Sequence, residues 1–176
     1  MKKSQRDETE RKKFRPLCSK EHALRVWMTQ YSYFFDRSNS NPNEAEEIEK
    51  ITMLVSYDDA NFLFHVFNDI FNSKNRTNES KNRPITKFIV KFHNGVDSVE
   101  PNARLLDCHE FAMDWLSEKN ICTSAVMLTK SGATRFDWTD GDSTNNDSNN
   151  DHINNSAEKN QMKHAVKVLR YVEGTL

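Results

Sequence analysis

The sequence predicts an α/β (α+β) domain: an N-terminal layer of about three helices, then a small, mostly antiparallel sheet with one helix packed on it. Three observations carry this. Apolar residues in the first half recur at helical spacing, as in Ala23, Trp27, Tyr31 and Phe34. From Ile85 onward the period switches to two. All four glycines and all four prolines fall between the predicted elements. The chain has 176 residues, about one domain's worth. We therefore expect a flexible charged arm over 1–17 and a single domain over 18–176.

Ser19 is placed to cap a first helix over 20–36, with Leu24, Met28 and Phe35 beside the main stripe. Pro42 closes the break after it. A second helix fits 43–55, burying Ala45, Ile48, Ile51 and Val55. A third fits 57–72, with Ser56 as N-cap and Asp58 and Asp59 in its first turn. Its stripe is Ala60, Leu63, Phe64, Phe67, Ile70 and Phe71.

Residues 85–93 alternate. Thr86, Phe88, Val90 and Phe92 share one face; Ile85, Lys87, Ile89, Lys91 and His93 share the other, as in a half-buried strand. Asn94-Gly95 turns the chain. After Pro101 a helix over 102–119 buries Leu105, Cys108, Ala112, Trp115 and Leu116, with Leu106 and Met113 on its flank. A strand over 121–130, a turn at Ser131-Gly132 and a hairpin partner over 133–138 follow. Residues 139–162 are Asn-rich with little apolar content, the composition of a disordered insert. The last strand runs from His164 to Val172, with Val166 and Val168 inward.

Composition excludes several classes. Lys and Arg total 25 against 26 for Asp and Glu, a net charge of -1, so this is no histone-like basic chain. No stretch has the 18 or more apolar residues of a membrane span, and the first 15 residues lack the apolar core of a secretory signal. Cys18, Cys108 and Cys122 are odd in number and show no paired spacing, as expected of thiols in a reducing compartment. The Lys2-Lys3 and Arg11-Lys12-Lys13-Phe14-Arg15 clusters have the composition of a nuclear localisation signal, and equally of a solvated arm. The expected location is nucleus or cytoplasm.

No phosphate-binding glycine loop and no G-x-S-x-G elbow is present. Asp107-Cys108-His109-Glu110 holds reactive side chains, but consecutive helical positions point about 100° apart and cannot form one site. No histidine or cysteine pair has zinc-ligand spacing. We expect no enzyme, no metal and no cofactor.

Two binding readings remain. Tyr33, Phe35, Phe62 and Val66 widen the helical stripes beyond what one-sided packing needs. They are the expected contacts of a non-enzymatic adaptor or accessory subunit with a protein partner. The alternative is single-stranded nucleic-acid binding by Lys87, Lys91, His93, Arg104 and His109, a modest basic surface. Arg104 to Ala112 resembles the helix of the arginine-three-histidine domains, which bind single-stranded nucleic acid. His109-Glu110-Phe111-Ala112 matches that pattern. Arg104 stands one residue before the family's arginine, where this chain has Leu105. The resemblance implies an anion site shared by Arg104 and His109.

Overall fold

A computed structural model describes residues 8–9, 11–31, 48–67, 85–139 and 162–173. Helix α1 spans Lys20–Val26 and continues as a π-helical turn, Trp27–Tyr31. Strands β1 (Ile48–Leu54), β2 (Ala60–Phe67) and β3 (Ile85–Phe92) follow. Then come helix α2 (Ala103–Glu118) and strands β4 (Val126–Met127), β5 (Phe136–Thr139) and β6 (Lys163–Arg170). The strands form one antiparallel sheet in the order β1-β2-β3-β6, with β4 and β5 both pairing the far side of β6.

This corrects the expected N-terminal layer of three helices. Residues 48–54 and 60–67, expected within the second and third helices, are the strands β1 and β2. The physical reason lies in β2. Ala60, Phe62, Phe64 and Val66 are all buried, and the residues between them are only partly so. That is a period of two. Phe62 and Val66, surplus on a helix, are the core face of a strand. Leu63 and Phe67 on the other face made a helical period fit as well. Ser56, Asp58 and Asp59 form the bend between β1 and β2 rather than a helix start.

Other elements stand closer to expectation. Ser19 Oγ accepts the His22 N–H, and the Ser19 N–H donates to His22 Nδ1, a reciprocal cap on α1. β3 carries the expected alternation. The expected 121–130 strand shrinks to β4, and β5 pairs with β6 instead of closing a hairpin onto β4. Gly132 turns the chain between them with a φ of 81°. Tyr33, Phe35 and nearly all of the Asn-rich stretch lie outside the described residues.

The core lies between α1 with its π-turn and one face of the sheet. Trp27 stacks on Phe64 at 5.3 Å and tilts against Phe88 at 5.0 Å; Phe92 meets Phe62 and Trp138 edge-on. Val90, Val166 and Val168 fill the centre. Each such side chain contributes roughly 1.5–3 kcal/mol by leaving water.

A polar staple closes one end of the sheet. Within the stretch read as a charged arm, Arg11 pairs with Asp58 and Asp97, both at 2.6 Å. Buried Asn94 donates from its side chain to Arg11 O and Asp58 O, and its backbone N–H donates to Asp59. Gly95 leaves room for Met162: a Cβ there would come within 2.5 Å of Met162 Cγ.

Candidate functional site

Helix α2 is the element whose residues and surroundings disagree most. It follows Pro101 and stops at a Schellman motif. Asn120 takes the left-handed φ of 57°, the Ile121 N–H donates to Leu116 O, and the Asn120 N–H donates to Ser117 O. At about 100° per residue, Leu106, Glu110 and Met113 share one side, and these are its buried residues. Leu105, Cys108, Phe111, Ala112 and Trp115 lie on the opposite side, exposed. Leu105 is 66% exposed, Phe111 73% and Trp115 49%. The stripe expected to be buried therefore faces outward, and the helix meets the sheet by its flank.

The inner contact is apolar through Leu106 and Met113 and ionic through Glu110. Lys167 sits on β6 between Val166 and Val168, so it points to the face away from the aromatic core. It is fully buried. Its ammonium lies 3.7 Å from Glu110 Oε1 and donates to His109 Nδ1 at 3.3 Å. Glu110 also accepts from Thr134 Oγ1 at 2.7 Å and from Arg135 at 3.1 Å; Arg135 reaches on to Asp107. These bonds explain how a carboxylate tolerates burial here.

Burial pushes the Lys167 ammonium pKa down. Glu110 opposes that shift, while Lys91 and Arg135 reinforce it. Burial also lowers His109, with Lys167 and Lys91 adding to the effect and Glu110 opposing it. His93 is pushed down to about 3 by burial, then by Lys167 and Lys91; Asp97 pulls upward and His109 adds slightly to the lowering. Its Nε2 has no hydrogen-bond partner among the described residues.

A base whose folded pKa is lowered is protonated more readily in the unfolded chain, so stability rises with pH. The His93 contribution is complete above its ordinary value of 6.5 and is lost as pH falls from there toward about 3. The slope reaches about 1.4 kcal/mol per pH unit. Thermal unfolding followed from pH 7.5 to 5 should show a falling Tm, and His93→Leu should flatten that fall. Parallel curves for the two proteins would assign the slope to another group.

The residues of the expected basic surface do not form an open patch. Lys87 pairs with Glu173, Lys91 with Asp59 at 2.6 Å and Arg104 with Glu100 at 3.2 Å. His93 is buried and His109 turns toward Lys167. Lys91, His93 and His109 do come together, around Lys167, but Arg104 points elsewhere on α2 and shares no anion pocket with His109. Phe62 and Val66 are buried in the core and offer a partner no exposed face. Sequence reasoning missed Lys167, and named Glu110 only among the reactive side chains of Asp107 to Glu110, without its partner. The signal was a single charge inside the apolar run Ala165 to Leu169.

Among the described residues, no three His, Cys, Asp or Glu side chains are grouped to hold a metal ion. None of the described helices is long and apolar enough to cross a membrane. No protein-family model, no curated protein and no solved structure matches the chain.

Proposed function

We propose that this chain is a non-enzymatic accessory subunit, acting in the nucleus or cytoplasm, that docks a protein partner on the outward face of α2. One observation carries the reading: the helix turns Leu105, Phe111 and Trp115 to solvent while its inner side buries Leu106, Glu110 and Met113. An apolar stripe on the side opposite those buried residues is open to a partner. Aromatic side chains are favoured anchors at interface centres. Cys108 and Ala112 between them are small enough for a second backbone to approach closely. The exposed thiols of Cys108 and Cys122 support a reducing compartment. Nucleic-acid binding is the weaker reading, because Lys87 and Lys91 each already face a carboxylate and His93 is buried.

Phe111→Asp combined with Trp115→Asp should reduce co-purifying protein from the source cell by about tenfold or more. Far-UV circular dichroism should be unchanged, since both side chains point away from the sheet. Undiminished co-purification would defeat the reading. A lost helical signal would mean that the chain covers this stripe itself.

A further inference from the structure

We propose that a second copy of this chain occupies the outward face of α2, the two helices packing antiparallel. This rests on the reading above of that face as a docking surface, and names what docks there.

The stripe has the spacing of a helix-pair seam. Leu105, Cys108, Ala112 and Trp115 are separated by three, four and three residues. Side-chain size follows the same order: large, small, small, large. Antiparallel pairing sets Leu105 against Trp115 of the second copy and Cys108 against its Ala112. The two helices then approach most closely at their centre, where Phe111 of each copy flanks the two-fold axis.

Charge decides the direction. Arg104 and Glu118 bracket the seam, both exposed. Arg104 meets only the exposed Glu100 one turn back, and Glu118 has no ion pair among the described residues. Antiparallel packing brings each Arg104 to Glu118 of the other copy, twice over. Parallel packing would put both Arg104 side chains at one end and both Glu118 side chains at the other, on opposite flanks, so neither would meet its opposite charge.

The size of the face sets the strength. The exposed parts of Leu105, Phe111 and Trp115 come to roughly 400 Å² per copy, taking about 200 Å² for a large side chain. That is below the roughly 800 Å² per partner of a stable complex, so the dimer is of the weak, transient class, to be sought from micromolar concentrations upward.

Sedimentation velocity on the purified full chain across that range should show the mass rising from one copy to two. Phe111→Asp should hold it at one copy with unchanged circular dichroism. Arg104→Glu alone and Glu118→Arg alone should each weaken association about tenfold. The double swap should restore it, because only a self-paired antiparallel interface re-forms both contacts. One-copy mass at every concentration, a dimer indifferent to Phe111→Asp, or failure of the double swap would each overturn the proposal. If the chain stays single while Phe111→Asp with Trp115→Asp still strips cellular proteins, the occupant is a different protein. The docking reading then survives without this inference. If those substitutions change neither measurement, both fall.

Discussion

Trp27→Ala should lower the free energy of unfolding by about 3–5 kcal/mol, read as a shift of the urea midpoint at constant m-value. Trp27 is buried at the point where the π-turn meets the sheet, against Phe64 of β2 and Phe88 of β3. Its removal opens a cavity between two strands and the helical segment packed on them. The π-turn cannot collapse to fill it, because Tyr31 and Val26 on either side are already buried. Val55→Ala, at a fully exposed side chain, is the control and should move the midpoint by no more than about 0.5 kcal/mol. A loss below about 1 kcal/mol for Trp27→Ala would mean that this segment is not seated on the sheet.

Glu110→Ala should cost a similar amount, about 3–5 kcal/mol, through a different mechanism. It leaves the Lys167 ammonium buried without a counter-charge and takes partners from Thr134 and Arg135. Lys167→Met should behave in the opposite way. The apolar side chain fills similar space, and Glu110 keeps Arg135 and Thr134, so the change should be neutral or stabilising by up to about 4 kcal/mol. The double variant should recover much of the loss from Glu110→Ala. The two single substitutions, the double variant and the parent form a cycle whose coupling measures the pair. Additive effects would show that the two groups do not sense each other.

How much of this was legible in the sequence depended on whether a segment has one polar side. β3 was clear because Lys87, Lys91 and His93 alternate with Phe88, Val90 and Phe92. The start of α1 was clear because Ser19 caps locally. β2 was not, since Phe62 and Phe64 occupy one parity and Leu63 and Phe67 the other. With apolar residues at both parities, helix and strand patterns fit equally, and only pairing with β1 and β3 decides between them. α2 was found at the right place with the wrong side inward. Periodicity reports that a stripe exists, not what covers it. The Glu110–Lys167 contact beneath the helix joins residues far apart in sequence, which no local pattern encodes. Tyr33 and Phe35, half of the expected partner contacts, fall outside the described residues, and the other half became core. Among the exposed aromatic side chains, Phe111 and Trp115 lie together on α2 instead.

The position of β6 has a bearing on how this molecule is made. It lies between β3 on one edge and β4 and β5 on the other, yet follows all three in the chain. A nascent polypeptide leaving the ribosome can zip β1, β2 and β3 into a meander, but the third of these must then wait with an open edge. That edge stays unpaired through synthesis of α2, β4, β5 and the Asn-rich stretch before its neighbour emerges. Such long-range closure is slow and leaves hydrophobic backbone vulnerable to wrong partners in the interval. The fold therefore places its greatest demand on chaperones in the interval between the synthesis of β3 and that of β6.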